Sequence, residues 1–412
     1  MALLTSRKRH GWAPNGVPAR PRRDAAASRL GAGALLLGCA TVAYTYVGYP
    51  ALMSLAARRR AVLDGPPDHH GDGLPTVTVL VAALNEERVI AQKIQDLRRQ
   101  DYPAELVEVV VVADGSTDRT AELARSLGAR VLHDPVARGK SNAVNRGMAA
   151  AGGELVIMTD ANCALSPEAL HAVAACFADP ALAVVGGAKV VHGPGARGAG
   201  EGLYWRLETR VKAGEAAFRA VMGAPGELCA VRRSAFRPIP PGVLNDDYHL
   251  TCDALVRGYG VGFAPSARAV EAVSLSITDE FERRSRIAAG TWQTTLRHLS
   301  LSDPRRGWVA VAFLSHRVLR SIVTPMLLPL LLAGSAALAR RSRVARVLLT
   351  LQMAAYALGV TGLRTDHRLA AVPFQFLLTN VATLRGAARL LLRRQPQVWA
   401  RADRTGWVDA RP

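Results

Sequence analysis

The sequence predicts an α/β domain with a mostly parallel, doubly wound sheet, carried by N-terminal and C-terminal transmembrane helices. Residues 76–159 alternate short β-branched runs with helical stretches, which is the element order of such a sheet. Residues 30–57 and the chain beyond about residue 309 contain apolar stretches long enough to cross a bilayer. Half of the 412 residues are hydrophobic and the five cysteines are scattered, so a disordered chain and a disulfide framework are both excluded.

The chain is strongly basic, with 52 Lys+Arg against 33 Asp+Glu and a formal net charge of +19. Nearly all of the excess is arginine, because the chain has only five lysines. Aromatic residues make up 5%, and no helix-turn-helix, zinc-finger or RNA-binding signature accompanies the charge. We therefore interpret the excess as a solvated surface with membrane-flanking arginines, and we expect no nucleic-acid partner.

Three segments precede the α/β region. Residues 1–29 are rich in Arg, Pro, Gly and Ala and are predicted to be a disordered basic tail. Residues 30–57 form one uncharged apolar stretch, closed by three arginines, which predicts a transmembrane helix. A cleaved signal peptide is the alternative, but its apolar run would be shorter. Residues 58–75 are predicted to be a linker.

The α/β domain is predicted over residues 76–300. The buried strands are expected at 76–82, 107–113, 130–133 and 154–159, with helices at 86–100, 120–129 and 140–151. In doubly wound sheets the ligand lies at the carboxyl ends of the strands, so the residues after each strand are the candidates for chemistry.

The chain beyond the α/β domain returns to membrane-type composition. Residues 301–320 mix apolar residues with His and Arg and are predicted to be an interfacial helix. Residues 321–395 are predicted to contain two or three transmembrane helices, and residues 396–412 a tail.

Polar side chains follow three of the predicted strands. Asn85 and Glu86 come after the first strand, and Asp114 and Asp118 after the second. Asp160 comes directly after the fourth, where a hard cation at a diphosphate needs a carboxylate. Each of these carboxylates could instead have a purely structural role: Asp114 in a turn before glycine, Asp118 as a helix cap and Asp160 as an ordinary loop residue.

Two further positions suit a phosphate and a proton transfer. Lys140 follows a glycine at the start of a predicted helix, where the amide N–H groups and the lysine charge favour a phosphate group. The upstream glycine spacing of a Walker A loop is missing. Asp246 and Asp247 open another helix, either as a cap or as a general base on the acceptor side of the site.

A basic segment that ends in tryptophan lies just before the C-terminal apolar region. It contains Arg286 and Trp292. Its alternative interpretation is an interfacial helix whose arginines extend to the membrane surface.

In this order, the segments resemble membrane-bound inverting family 2 glycosyltransferases with a GT-A fold, such as bacterial polysaccharide and cellulose-synthase-like enzymes. VLVAALNEERVI is similar to that family's first strand and Asn-Glu turn, VVVADGSTDRT to its Asp-Gly-Ser-x-Asp motif and RGKSNAVNRG to its Gly-Lys-x-x-Ala-x-Asn helix. TDAN resembles the D-x-D metal motif, with Asn162 in place of the second Asp. NDDYHL is similar to the acceptor motif, and RSRIAAGTW occupies the place of the Q-x-x-R-W segment. The resemblance covers about Tyr46 to Pro325.

The resemblance implies a role for each candidate residue. Asp160 and Asn162 would hold Mg²⁺ or Mn²⁺, and Asp247 would be the general base, with Asp246 orienting it or capping the helix. Arg286 and Trp292 would lie on the acceptor side. The residues implied to bind the nucleotide sugar are Asn85, Glu86, Asp114, Asp118, Lys140 and Asp160.

The implied reaction moves a sugar from a nucleotide-diphosphate sugar, expected to be a UDP-sugar, to a carbohydrate or lipid-linked acceptor with inversion. Such a transfer would serve polysaccharide or glycolipid synthesis in the cell envelope. Because nucleotide sugars are cytosolic, a multi-pass membrane protein with a cytosol-facing catalytic domain is expected. The alternatives are a sugar-phosphate nucleotidyltransferase, which should have a glycine-rich loop at residues 82–87, a transporter, or a non-catalytic scaffold.

Overall fold

The structure, a computed structural model, describes residues 21–63, 73–193, 195–274, 276–365, 367–393, 407–408 and 410. The first 20 residues of the predicted tail, half of the predicted linker (64–72) and nearly all of the C-terminal tail lie outside this range.

The domain is built on one mixed sheet of eight strands in the order β3-β2-β1-β4-β7-β6-β8-β5. β1 pairs in parallel with β2 and β4, and β2 with β3, so the four predicted strands are confirmed. β7 runs antiparallel to both β4 and β6, and β5 runs antiparallel to β8. The strands β1 to β8, in chain order, are Val77–Ala83, Val107–Asp114, Arg130–Asp134, Leu155–Asp160, Ala164–Leu165, Leu182–His192, Cys229–Arg232 and Gly260–Ala272.

Helices cover both faces of the sheet and form the flanking segments. Two π-helical segments, Tyr44–Gly48 and Phe313–Val323, interrupt the apolar helices. The α-helices of the described residues, α1 to α13, are Pro21–Ala43, Tyr49–Leu63, Ile90–Arg98, Thr120–Ser126, Lys140–Ala150, Ala169–Cys176, Gly195–Ala216, Asp246–Val256, Ile277–Arg297, Trp308–Ala312, Thr324–Leu338, Arg343–Thr361 and Arg368–Leu391.

The sheet is buried on both faces, because alternate side chains of the central strands enter two different hydrophobic clusters. On β1, Leu80 packs in the cluster that includes Val144 of α5, whereas Val79 packs in the cluster that includes Ile90 and Ile94 of α3. All seven residues of β1 are buried. This double burial explains why the strand is a continuous β-branched run, and it fixes the strand ends where the site lies.

Three apolar helices have the length and composition needed to cross a membrane: Leu30–Arg58, Trp308–Leu338 and Arg343–Thr361. The predicted interfacial helix and the first C-terminal span form one continuous helix, Trp308–Leu338, whose π-helical turn at Phe313–Val323 covers the expected boundary.

The predicted third C-terminal span corresponds to α13, which is not among these candidates. This helix packs along α9 and α7 of the α/β domain. Glu282 of α9 pairs with Arg385 at 2.5 Å and with Arg389 at 2.6 Å. These charges hold α13 against the domain.

The N-terminal helix begins at Pro21, nine residues before the predicted span. Residues 21–29 were expected to be part of a disordered tail and are helical instead. Alanine and arginine dominate this stretch, and both are strong helix formers, so the helix of the apolar segment extends toward the N-terminus.

Candidate active site

A cavity of about 350 Å³ lies at the carboxyl end of β4, bounded by α5, α7, α8, α9 and the helix from Trp308 to Leu338. Asn85, Glu86, Asp114, Asp118 and Asn162 lie outside its lining, at or after the ends of β1, β2 and β4. The structure brings six other predicted residues together. Those that line the cavity are Lys140, Asp160, Asp246, Asp247, Arg286 and Trp292.

Lys140 and Asp160 form an ion pair across the donor end of this cavity. The Lys140 Nζ lies 2.9 Å from Asp160 Oδ1. Burial alone would lower the pKa of Lys140, but the charges of Asp160, Asp246 and Asp247 raise it above its ordinary value. Lys140 also begins α5, after Gly139 at a φ of +90°. The site therefore combines a charged amine with the N-terminus of a helix, an arrangement that favours a phosphate.

Asp246 and Asp247 are the first two residues of α8. The backbone N–H of Tyr248 donates to Asp247 Oδ1 at 2.7 Å. Burial and the neighbouring charge of Asp246 raise the pKa of Asp247 to about 7, against the opposing charge of Lys140. A carboxylate whose pKa lies near neutrality has the property that a general base needs.

A glycine keeps the space between the base and the lysine open. A Cβ atom built on Gly226 would lie 3.4 Å from both Asp247 Oδ2 and Lys140 Nζ. Both functional groups therefore face the same short stretch of backbone. A ligand at this point would contact the carboxylate of Asp247 and the amine of Lys140 together.

The loops after β1 and β2 are joined by side chain to backbone hydrogen bonds. Asn85, at a φ of +55°, accepts from the Thr117 backbone N–H at 2.9 Å. Asp118 accepts from the backbone N–H groups of Glu87 at 3.1 Å and Thr120 at 3.0 Å. Asn85 and Asp118 thus fix the loop geometry beside the cavity. Asp118 also caps the start of α4, which agrees with the alternative role in the sequence.

Asp114 is almost completely buried and accepts hydrogen bonds from the loop before α5. Its Oδ2 accepts from the backbone N–H groups of Arg138 at 2.9 Å and Gly139 at 2.8 Å. The adjacent Gly115 is required because a Cβ there would lie only 2.5 Å from the Ala137 Cβ. Asp114 therefore positions the Gly139-Lys140 turn.

The cation ligands can be tested against the geometry. Asp160 is about one-third exposed (33%) and lies at the end of β4, and Asn162 lies two residues further on. Within the described part of the chain, no group of three His, Cys, Asp or Glu side chains could hold a metal ion. A single carboxylate is too few ligands for a cation, so an ion at Asp160 would also take oxygen ligands from a bound diphosphate, which is the usual manner for Mg²⁺.

The loop that contains Asp160 and Asn162 is held by a buried lysine, Lys93, which the sequence analysis did not single out. Lys93 of α3 has no solvent exposure, and its Nζ donates to Thr159 Oγ1 at 2.8 Å and to the Cys163 carbonyl at 2.9 Å. These two partners flank Asp160 and Asn162. No sequence signal pointed to Lys93, other than the rarity of lysine in this arginine-rich chain.

The acceptor-side residues lie on α9. Burial lowers the pKa of Arg286, and the charge of Arg283 adds to this effect. The Trp292 Nε1 is buried beside the cavity with no hydrogen-bond partner. The adjacent Gln293 holds the loop before α8: its Oε1 accepts from the Leu244 N–H at 3.0 Å and its Nε2 donates to the Gly242 carbonyl at 2.8 Å.

Lys212 and Arg317 also line the cavity and were not predicted as site residues. Lys212 lies on α7, in a segment whose pattern indicates an ordinary helix, and Arg317 lies in the segment predicted to be interfacial. Their position in the cavity depends on packing between distant parts of the chain.

The sequence is similar to that of known glycosyltransferases. Residues 78–239 match the family model described as glycosyl transferase family 2. The chain is 29% identical to the probable glycosyltransferase YdaM of Bacillus subtilis, over 55% of this chain and 58% of that protein. It is 28% identical to the beta-monoglucosyldiacylglycerol synthase of Synechocystis, over 61% of this chain and 56% of that protein. The chain thus spans less than two thirds of the length of these relatives.

A solved structure matches the fold over most of the chain. The mannosyltransferase PcManGT of Pyrobaculum calidifontis, in complex with GDP-Man and Mn²⁺, has a TM-score of 0.66 and 24% identity. The similarity covers 87% of this chain and 99% of that one. The fold is of the GT-A type, as the sequence predicted. The match of residues 78–239 to the glycosyl transferase family 2 model supports the family that the sequence resembles.

Proposed function

We propose that the protein is a membrane-bound inverting glycosyltransferase that moves a sugar from a nucleotide-diphosphate sugar to a carbohydrate or lipid-linked acceptor. The observation that carries this proposal is the meeting of Asp247, Lys140 and Asp160 in one cavity at the carboxyl end of β4. A base, a phosphate-binding cation and a candidate metal ligand are the three functions that such a transfer needs.

Asp247 is proposed to be the general base. The acceptor hydroxyl gives its proton to the Asp247 carboxylate while its oxygen attacks the anomeric carbon. The bond between that carbon and the diphosphate oxygen breaks, and the nucleoside diphosphate leaves with the electron pair. Because attack and departure occur on opposite faces, an α-linked donor gives a β-linked product.

The leaving diphosphate is proposed to lie against Lys140 and the N-terminus of α5. The lysine charge and the first amide N–H groups of the helix stabilise the negative charge that develops there. Asp160 and Asn162 would hold Mg²⁺ or Mn²⁺ together with diphosphate oxygens, and the bound ion would neutralise part of that charge. Asn85, Glu86, Asp114 and Asp118 are proposed to form and stabilise the nucleoside end.

The flanking helices support a membrane location. Three helices are candidates for spans, and Leu30–Arg58 and Trp308–Leu338 lie on either side of the α/β domain in the chain. We propose a multi-pass protein whose catalytic domain faces the cytosol, where nucleotide sugars are found. A relative named for glycolipid synthesis supports a lipid-linked or polysaccharide product of the cell envelope.

Donor screening would test the proposal. The purified full chain, with Mn²⁺ or Mg²⁺, should release nucleoside diphosphate from one nucleotide sugar of a panel, and a UDP-sugar is expected. Asp247→Asn should keep donor binding and lose transfer. Release of pyrophosphate from a sugar phosphate and a nucleoside triphosphate would instead support the nucleotidyltransferase, and would contradict the proposal.

A further inference from the structure

The cavity continues beyond the catalytic residues toward the apolar helices. Its lining contains Lys212, Arg317 and Ser321 as well as Lys140 and Asp160. Ser321 belongs to the Trp308–Leu338 helix, one of the candidate spans. The part of the cavity lined by Lys212 and Arg317, which we call the inner end, therefore adjoins a helix that can lie in the membrane.

Lys212 has an unusual environment for a lysine. It is only 5% exposed, and among the described residues it makes no hydrogen bond or ion pair. Burial lowers its pKa, although Glu208 opposes the shift. An unpaired buried amine costs stability, so a ligand that brings negative charge to this point would offset that cost.

Other donors around the cavity are also unsatisfied. Arg317 Nε, Trp205 Nε1 and Trp292 Nε1 are buried with no hydrogen-bond partner among the described residues. Apart from Arg286, the other cations that line the cavity are paired, Lys189 with Glu227 and Glu271, for example. The unsatisfied groups are all N–H donors, so the ligand that fits them must be rich in acceptor oxygens.

Arg317 is held in place by the backbone and a ring. Its guanidinium donates to the Met222 carbonyl and lies 4.4 Å from the centre of the Tyr248 ring. Gly223, at a φ of +112°, leaves the space for it, because a Cβ there would collide with the guanidinium. Tyr248 follows the candidate base Asp247, so this fixed cation is coupled to the catalytic helix α8.

We propose that the inner end is an anion subsite in which Lys212 and Arg317 bind a phosphate group of the acceptor. This rests on the proposed function, since it names the chemistry of the acceptor for that site. The phosphate supplies both the negative charge and the acceptor oxygens that the unsatisfied donors lack. The adjoining apolar helix favours a phosphate carried by a lipid over a soluble sugar phosphate.

Binding of simple probes to the full chain in a neutral maltoside detergent tests the proposal. The probes are dodecyl phosphate, dodecyl glucoside and inorganic phosphate, measured by calorimetry and by the shift in melting temperature. Dodecyl phosphate should bind the wild-type protein, with affinity lower by about tenfold or more in Lys212→Met and in Arg317→Met. The control is Arg210→Met, which removes the same charge from an exposed position on α7 and should bind normally.

Stability gives a second readout that does not depend on the probe. Lys212→Met removes an unpaired buried charge and should melt at the same or a higher temperature than the wild type, while losing the rise that dodecyl phosphate causes. A strongly destabilised Lys212→Met protein would contradict the unsatisfied state of Lys212 and overturn the proposal.

Comparison of the three probes distinguishes a lipid phosphate from a soluble phosphate. Equal binding of inorganic and dodecyl phosphate, both dependent on Lys212, would keep the anion subsite and replace the lipid with a soluble phosphorylated acceptor. Equal binding of dodecyl glucoside and dodecyl phosphate, or unchanged binding by Lys212→Met, would overturn it. Binding of the nucleoside diphosphates of the donor panel is measured separately: no binding of any of them by the wild type would reject the proposed function, while Lys212-dependent dodecyl phosphate binding would leave the anion subsite standing.

Discussion

The Lys140 Nζ lies 2.9 Å from Asp160 Oδ1, so the candidate phosphate-binding lysine and the candidate metal ligand are paired with each other. A diphosphate with its cation would exchange this pair for two new ones, amine to phosphate and carboxylate to metal. The pair keeps both charges compensated in the free protein and places them where the two parts of the leaving group must lie.

Asp160→Ala should reduce transfer to the background rate. It removes the only carboxylate proposed to hold the cation, and it leaves Lys140 without its partner. Transfer rates in Mn²⁺, in Mg²⁺ and in excess chelator provide the measurement. Glu122→Ala is the control, because Glu122 is an exposed carboxylate on α4 and its loss should not affect transfer. Full activity of the wild type in excess chelator would rule out the metal role.

A charge in the first C-terminal apolar helix should weaken membrane insertion. Leu330 is 66% exposed in the middle of α11, where the side chain would face lipid. Leu330→Arg should cost about 2.5–3.5 kcal/mol of insertion free energy, whereas Leu330→Val should cost little. The effect is measured by protease accessibility of the loop at residues 339–342 in membrane vesicles, because the other candidate spans would keep either variant in the membrane. If the loop is equally accessible in Leu330→Arg and Leu330→Val, or if carbonate releases the wild-type chain, then α11 does not span the membrane.

The catalytic half of the sheet could be predicted because each element has a local signal. β1 and β2 are β-branched runs buried on both faces, and Asp160 and Lys140 stand at a strand end and a helix start. Asp247 follows the same logic at the start of α8. The candidate catalytic residues lie where a strand ends or a helix begins, and the change in hydrophobic periodicity at these points can be seen in the sequence.

The inner end and the second half of the sheet could not be predicted, because their signals are not local. β6 contains Gly186 and Gly187, which weaken the strand pattern. Lys212 is buried only because α7 packs against α2, α13 and the sheet, and Arg317 reaches Tyr248 from about 70 residues further along the chain. Such contacts follow from tertiary packing, which overrides the local preference of a charged residue for solvent.

Lys93→Met should weaken binding of the proposed cation, although Lys93 is not itself one of the proposed metal ligands. Its Nζ holds Thr159 and Cys163, on either side of Asp160, so its loss frees the loop that positions the carboxylate. Groups that support metal ligands typically contribute about 10- to 100-fold in metal affinity. The concentration of Mn²⁺ at half-maximal transfer should therefore rise by that order, while activity recovers at saturating Mn²⁺.

The control for Lys93 is Gln95→Met, an exposed position on the same helix. It should leave the Mn²⁺ dependence unchanged. An unaltered half-maximal concentration in Lys93→Met would show that the loop holds its geometry without the lysine.

The rate of transfer should depend on pH through the candidate base, Asp247. Burial, followed by the charge of Asp246, raises the pKa of Asp247 to about 7, and the base must be ionised to accept a proton. Transfer should therefore increase as the pH rises through about 7. Because the folded-state pKa is raised above that of the unfolded chain, the folded protein binds more protons between about pH 4 and 7, and its stability should fall as the pH rises through that window.

Two neighbouring variants separate the roles of the two acids. Asp247→Asn keeps the shape of the side chain but removes the proton acceptor, so transfer should fall by about 10²–10⁴-fold with donor affinity unchanged. Asp246→Asn removes the negative charge beside the base, so the pKa of Asp247 should fall and the acidic limb of the rate profile should move to lower pH. Rates of transfer from pH 5 to 9, with donor affinity measured beside them, decide the matter. If Asp247→Asn transfers at the normal rate and Asp246→Asn does not, the base is Asp246. If both transfer normally, the base lies elsewhere.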